Sequence, residues 1–267
     1  MDRACGCSAC YDSLSQEWLL AHIPMDRKVL REFLKAGVAF GGELFPTEVG
    51  ISQGASLSPI LGNMALDGLQ AYLYEQLYPE QVPGLWRRRF DAVCDDMIIT
   101  ARSRAQAELI LELLEQFLAA RGLKLNWDKT YISKVSLGFE FLSRWYRRED
   151  SVLVVRPSDQ AVKRFENSWN PLSWATSSQQ TLIERLNRKL NGWGSYHRVT
   201  DAFDAFRRID SCVQALLIKK MRQLHPKRKW KTIQNMYWYE QDGHHIFALR
   251  DNKSVRVARL AELEITE

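Results

Sequence analysis

Two adjacent carboxylates, Asp95 and Asp96, are the residues of this chain best suited to chemistry. Strand-forming residues flank the pair on both sides, which predicts that it lies at the turn of a β-hairpin. Neighbouring carboxylates cannot both be buried unpaired, because burying isolated charges costs too much free energy. A bound Mg²⁺ would compensate them, since it prefers oxygen ligands and often needs only one or two protein carboxylates. Taken alone, the dipeptide favours the plainer alternative of a solvated turn.

A second set of candidate residues, in the C-terminal half, mixes aromatic and basic side chains. Aromatic rings can stack on unpaired bases and cations neutralise phosphates, so the mixture is typical of RNA binding. For Trp193 and Tyr196, packing in a helical core is an equal alternative. For the basic loop around Trp230, a solvated loop is the weaker alternative. The candidates are Arg185, Arg188, Lys189, Trp193, Tyr196, His197, Arg198, Lys227, Arg228, Lys229 and Lys231.

The charge distribution supports this division of the chain. Residues 141–267 carry 23 Lys and Arg against 14 Asp and Glu, whereas residues 1–140 carry 14 against 18. An acidic first half followed by a basic second half favours a polyanion-binding module joined to another domain. No run of about 18 apolar residues occurs, and the N-terminus does not resemble a signal peptide, so we expect a soluble protein in the cytoplasm or an organelle, with no membrane partner.

The elements that position these residues follow from hydrophobic spacing. We predict an α+β part over residues 1–155, with one helix from Pro59 to about Leu77 and another opened by Ser103. Beyond Pro157 the pattern predicts helices only, so residues 156–267 are expected to form an all-α basic domain. Cys5, Cys7 and Cys10 are close enough to bind zinc, but no paired Cys-x-x-Cys follows, which favours ordinary packing.

Six blocks in order resemble the reverse transcriptase/maturase proteins of group II introns, over nearly the whole chain. Residues 122–130 resemble the family's G-L-x-L-x-x-x-K-T block, and residues 93–96 stand where the family has Y-x-D-D. The blocks are residues 48–63, Val93-Cys-Asp-Asp96, Gly122-Leu-Lys-Leu-Asn-Trp-Asp-Lys-Thr130, Gly138-Phe-Glu-Phe-Leu142, residues 186–198 and residues 225–233. The resemblance implies a reverse-transcriptase palm, an antiparallel sheet with helices, followed by an all-α thumb/maturase domain.

The resemblance also implies roles for the matching positions. Asp95 would be the catalytic Mg²⁺ ligand, with Asp96 as its neighbour and second ligand. Gln53 and Gly54 would line the pocket for nucleotide and template, and Lys129 would lie near the nucleotide's phosphates. The expected partners are group II intron RNA and, for an active enzyme, an RNA template with a DNA primer.

Several positions depart from the family's pattern. The family's first palm Asp, whose carboxylate bridges both metal ions, is replaced by Gly6. The Tyr of Y-x-D-D is Val93, and we expect the fingers segment that would precede Met1 to be missing. We therefore expect an RNA-binding reverse transcriptase/maturase fragment whose polymerase activity is impaired. The alternatives are an active RNA-directed DNA polymerase completed by a separate fingers-containing chain, and the decayed product of a mobile element.

Overall fold

The structure is a computed structural model that divides the chain into two compact units, Met1–Leu142 and Ser143–Glu267. It describes residues 3–10, 13–45, 47, 49–51, 57–78, 90–93, 96–169, 178–241 and 243–263. For residues 3–10, 38–40, 44 and 90–93 it describes the backbone alone. Among the described helices, none is both long and apolar enough to cross a membrane.

The first unit combines short helices with antiparallel strands. Its helices are α1 (Gln16–His22), α2 (Arg27–Lys35), α3 (Ser58–Leu66), α4 (Leu69–Leu77) and α5 (Arg104–Ala119). Its strands are β1 (Arg3–Cys10), β2 (Val38–Phe40), β3 (Glu43–Phe45), β4 (Phe90–Val93), β5 (Asp96–Ala101), β6 (Lys124–Leu125), β7 (Tyr131–Lys134) and β8 (Phe139–Phe141).

The sheet of this unit has the order β4-β5-β1-β6, with β7 pairing β1 beside β6, and every pairing is antiparallel. Met97, Ile99 and Ala101 of β5 are buried in the hydrophobic core. Because side chains alternate across a strand, residues 96, 98 and 100 lie on the opposite face. One face of the sheet therefore packs on the helices, and position 96, at the start of β5, lies on the other face.

Helix α5 shows how the sequence sets the core of this unit. The Ser103 hydroxyl accepts a hydrogen bond from the Gln106 N–H at 3.1 Å, which caps the helix start as predicted. Ile110, Leu114 and Leu118 then recur every four residues and are almost fully buried. Burying side chains of this size stabilises a fold by roughly 1.5–3 kcal/mol each. The helix ends at Ala119, and Gly122, three residues further on, adopts a φ of +72° that glycine tolerates without strain.

The predicted single helix from Pro59 to Leu77 is wrong in one respect, because the structure divides it into α3 and α4. The break lies at Asp67 and Gly68, and Gly68 has a φ of +82°, which does not continue a helix. Apolar spacing runs through the break, since both helices bury leucines in the same core: Leu61, Leu66, Leu69 and Leu73.

The second unit is mainly helical and contains two β-hairpins. Its strands are β9 (Arg144–Glu149), β10 (Val152–Pro157), β11 (Trp238–Gln241) and β12 (His244–Phe247). Its helices are α6 (Asp159–Asn167), α7 (Gln179–His197), α8 (Phe203–Leu224) and α9 (Trp230–Tyr237), with a short 3-10 helix at Leu260–Glu262. The β9–β10 hairpin lies in this unit, whereas the predicted first domain extends to residue 155.

The β11–β12 hairpin corrects the expectation that only helices follow Pro157. Gln241 pairs with His244, and Gly243 adopts a φ of +73° at the turn. Trp238 and Phe247 face each other at the other end of the hairpin, with ring centroids 4.9 Å apart. The hairpin thereby contributes two large aromatic rings to the core formed by α6, α7, α8 and α9.

Candidate nucleic-acid interface and palm hairpin

The predicted hairpin around the paired aspartates is confirmed by the pairing of β4 with β5. Val93 lies opposite Asp96 in the register, so residues 94 and 95 connect the two strands. Asp96 begins β5 and its side chain is exposed. Asp95 lies outside the described residues, as do Gln53 and Gly54, so their predicted convergence remains a prediction.

Strand β1 runs beside β5 and places Gly6 close to this carboxylate. Ser8 lies opposite Asp96, and Gly6 lies opposite Ile98 on one side and Tyr131 on the other. Position 6 is therefore in the middle of the sheet, two residues along from Asp96, which is a separation of roughly 7 Å at about 3.4 Å per residue. Opposed residues share a face of the sheet, so positions 6 and 96 lie on the same face. The position matched to the family's first Asp carries no side chain.

The donor set that the structure describes does not by itself make a magnesium site. Across the described ranges, no group of three or more His, Cys, Asp or Glu side chains is arranged to hold a metal ion. Asp96 supplies one carboxylate at this point of the sheet, and Asp95 is outside the description. Two-ion phosphoryl chemistry requires ligands that clamp both ions, which one carboxylate does not provide.

Lys129, predicted to lie near nucleotide phosphates, is exposed on a tight turn that follows β6. Its backbone N–H donates to the Asn126 carbonyl at 3.0 Å. The Asn126 side chain also accepts from the Asp128 N–H at 3.1 Å, a local bond that fixes the turn. The turn holds the Lys129 backbone and leaves its ammonium group in solvent.

In the second unit, α7 divides the predicted RNA-binding residues between its surface and its core. Arg185 and Arg188 are exposed, and so is Arg198, which caps the end of the helix. Lys189 is also exposed, and its ammonium donates to the Ser168 carbonyl at 2.8 Å and lies 5.0 Å from the Trp169 ring.

Trp193 and His197 lie on the buried side of α7. The Trp193 ring stacks on Phe165 with centroids 5.1 Å apart and contacts Phe206 edge-on at 5.7 Å. His197 is 1% exposed and lies 4.2 Å from the Trp193 ring. Of this aromatic group only Tyr196 is well exposed, at 43%, and the Arg144 guanidinium covers one face of its ring at 4.3 Å. Packing accounts for Trp193 and His197 in this conformation.

The buried imidazole of His197 is electrostatically unusual. Its Nδ1 is buried and has no hydrogen-bond partner among the residues described. Burial, and after it the nearby charge of Arg144, lowers the pKa of His197 from 6.5 to about 4. The ring is therefore neutral near pH 7 and belongs to the core of this unit.

The basic loop, residues 225–231, connects α8 to the first turn of α9 and carries four cations on a fixed base. His225 Nε2 and the Tyr237 hydroxyl are 2.8 Å apart, and the Trp230 ring meets Trp238 edge-on at 5.4 Å. The Arg222 guanidinium lies 5.0 Å from the centroid of the same Trp230 ring. All four predicted cations of the loop are exposed: Lys227, Arg228, Lys229 and Lys231.

The part of this basic surface that lies on α8 is not among the residues predicted from the sequence. Between Asp210 and Glu240 the chain contains seven Lys and Arg and no acidic residue. Three of these cations, Lys219, Lys220 and Arg222, belong to the last turns of α8, where Lys219 and Arg222 are exposed. The run of residues without a carboxylate was the signal that could have found them. Together with the four loop cations, Lys219 and Arg222 form what we call the basic surface.

An antiparallel palm sheet with a paired-Asp hairpin, followed by a basic helical unit, is the architecture of a reverse-transcriptase palm with an attached helical domain. Residues 6–145 match the family "Reverse transcriptase (RNA-dependent DNA polymerase)", and residues 162–238 match "Group II intron, maturase-specific domain". The chain belongs to the reverse transcriptase family and is of the group II intron maturase type.

Parts of this chain are similar to a curated protein and to solved structures. It is 32% identical over 95 residues to the retrovirus-related Pol polyprotein from the type-2 retrotransposable element R2DM of Drosophila melanogaster, covering 36% of this chain and 9% of the polyprotein. Telomerase from Candida albicans, solved in complex with a fragment of telomeric RNA, is 12% identical with a TM-score of 0.47, over 88% of this chain and 45% of that one. Apo telomerase from Candida tropicalis is 15% identical with a TM-score of 0.44, over 90% and 44%. The chain therefore spans less than half the length of each.

Proposed function

We propose that this protein binds structured group II intron RNA through the basic surface of its helical unit. The observation that carries the proposal is the run from residue 211 to 239, which holds seven cations and no carboxylate. Phosphates attract exposed cations most strongly where no neighbouring carboxylate competes for them. The match of residues 162–238 to the maturase-specific domain of group II introns supports the same ligand.

The anchoring of the loop favours tight binding. The His225–Tyr237 contact and the Trp230–Trp238 packing hold both ends of the loop before any ligand arrives. A loop that is already ordered loses less conformational entropy when it binds, so more of its contact energy appears as affinity. Arg185, Arg188 and Arg198 extend the proposed contact along α7. The half-buried Trp193 and the buried His197 pack on the inner side of that helix.

The test compares two variants with equal charge loss on the full chain. In the first, the four loop cations become Gln: Lys227, Arg228, Lys229 and Lys231. In the matched control, four exposed cations of α2 become Gln: Arg27, Lys28, Arg31 and Lys35. Fluorescence anisotropy with a labelled, folded group II intron RNA should show a large loss of affinity for the loop variant and a small loss for the control. Equal losses in both would refute the assignment to the basic surface.

We also infer that primer extension by this chain is absent or very slow. Gly6 occupies the central β1 position on the face of Asp96, where the family resemblance expects the carboxylate that bridges both metal ions. Losing one positioned electrostatic contact in an active site typically costs about 10²–10³ in rate. Replacing the Tyr of the Y-x-D-D block by Val93 adds a second departure beside the same turn.

This inference is tested with purified protein, an annealed RNA template and DNA primer, Mg²⁺ and deoxynucleotides. We expect no extension above that of an Asp95→Ala control. Robust extension that disappears in the Asp95→Ala variant would show instead that the chain is a working RNA-directed DNA polymerase. Extension that appears only after a fingers-containing chain is added would support the alternative in which a partner completes the enzyme.

A further inference from the structure

A groove in the helical unit carries a second set of cations that the basic surface does not include. Two adjoining cavities, each of about 570 Å³, share Arg207, His244 and Arg259 in their walls. The walls come from α8, from β12 and from the segment around the 3-10 helix near the C-terminal end of the second unit. This volume lies within the roughly 300–1,000 Å³ of typical ligand pockets.

The third wall of the groove is fixed by hydrogen bonds to its backbone. The Asp210 carboxylate of α8 accepts from the Leu260 and Ala261 N–H groups, at 2.9 and 3.0 Å. The Asn187 side chain of α7 donates to the Arg256 carbonyl and accepts from the Ala258 N–H, both at 2.8 Å. The segment that carries Arg256 and Arg259 is therefore held against α7 and α8 by four side-chain bonds.

Three arginines line this groove, and the nearby carboxylates do not neutralise all of them. Arg256 and Arg259 share one carboxylate, that of Glu262, at 3.5 and 3.1 Å. The Asp210 carboxylate already accepts two backbone N–H groups. Arg207 forms no ion pair with any residue in the described part of the chain. The groove thus retains net positive charge for an anionic ligand.

An aromatic ring stands beside these cations at the rim of the groove. Phe203 lines one of the two cavities, is 48% exposed, and lies 5.7 Å from the Arg207 guanidinium. An exposed ring next to arginines suits a nucleotide better than a simple anion, because the ring can stack on a base while guanidinium groups bind phosphate.

We propose that this groove binds an unpaired nucleotide of an RNA strand, with its base on Phe203 and its flanking phosphates on Arg207 and Arg259. The proposal rests on the RNA-binding function proposed above and adds a site for single-stranded RNA distinct from the basic surface. Arg256 and Arg259 lie beyond residue 238, where the match to the maturase-specific domain ends. The groove would add selectivity for unpaired segments to the charge-driven attraction of the basic surface.

The test uses the full chain with two probes, a labelled 12-nucleotide oligouridine and a labelled RNA duplex of the same length. Phe203→Ala should weaken oligouridine binding about 5-fold or more, as expected for losing one base-stacking contact, and leave duplex binding unchanged. Phe203→Tyr keeps an aromatic face and should restore binding. Arg207→Gln should weaken oligouridine binding, and thermal melts of each variant check that the fold persists.

The outcomes separate this proposal from the one on which it rests. If Phe203→Ala and Arg207→Gln bind oligouridine as the parent does, the groove is not a nucleotide site, whatever the basic surface does. Loss with Arg207→Gln but not with Phe203→Ala would also overturn it, since the groove would then bind an anion without reading a base. Loss of oligouridine binding with both groove variants would support the groove; if the loop variant also bound folded group II intron RNA as the parent does, the proposed function of the basic surface would be refuted separately.

Discussion

The buried His197 predicts a specific loss of stability in mild acid. The imidazole is 1% exposed, and burial together with Arg144 lowers its pKa from 6.5 to about 4. In the unfolded chain the ring returns to water and regains its ordinary pKa near 6.5. As the pH falls below 6.5, the unfolded chain therefore takes up a proton before the folded chain does, which favours unfolding.

The size of the effect follows from linkage between protonation and folding. The contribution of the neutral ring is fully present above pH 6.5 and is lost as the pH falls towards 4. The shift between 6.5 and about 4 corresponds to about 3 kcal/mol in total, at 1.36 kcal/mol per pKa unit. Between pH 7 and pH 5 the same two pKa values give a loss of about 2 kcal/mol.

The assay is urea unfolding of the full chain at pH 7 and pH 5, followed by circular dichroism. His197→Gln cannot titrate, so its free energy of unfolding should fall by about 2 kcal/mol less than that of the parent over this pH range. His244→Gln, at an exposed histidine, serves as the control and should behave as the parent does. If the parent and His197→Gln lose the same stability, the ring is not held neutral by burial and the reasoning is wrong.

Further substitutions test how the two units are built. Gly122→Ala should destabilise the first unit by about 2 kcal/mol or more in urea unfolding, because φ is +72° and the added Cβ would lie 2.8 Å from the Ser13 carbonyl oxygen. Gly192→Ala, in α7 with nothing within 4 Å, should instead stabilise the second unit by about 0.5–1 kcal/mol; destabilisation there would contradict the helix packing. Asn187→Ala should cost about 1–3 kcal/mol and make residues 255–263 more sensitive to limited proteolysis, and an unchanged cleavage pattern would refute its role in holding that segment.

The sequence predicted those elements whose stabilising interactions lie within a short stretch of the chain. Ser103 and the four-residue spacing of apolar residues predicted α5, since a cap and a stripe are complete within one helix. The strand-formers around Asp95 and Asp96 likewise predicted the β4–β5 hairpin. The β11–β12 hairpin was missed although Asp242-Gly243 is a strong turn signal, because the surrounding residues were interpreted within a helical pattern.

Among the candidate functional residues, those that form a local sequence cluster were predictable, and those that depend on contacts between elements were not. The exposed cations of the basic loop were found from sequence, because a short cluster of like charges is visible without a fold. Trp193 packs on Phe165 and Phe206 from two other helices, and His197 lies against Trp193; helical spacing cannot reveal such contacts. The groove arginines come from separate elements that only the folded chain brings together, so no motif marks them.

The salt dependence of RNA binding tests the central claim most directly. The logarithm of the binding constant for a folded group II intron RNA should fall linearly with the logarithm of salt concentration. Replacing Lys227, Arg228, Lys229 and Lys231 by Gln should reduce that slope by about 3, at roughly 0.7–0.9 per lost phosphate contact. Between 50 and 200 mM salt, the parent's affinity should then fall about 60-fold more than the variant's. Parallel lines for parent and variant would contradict the assignment of RNA binding to this surface.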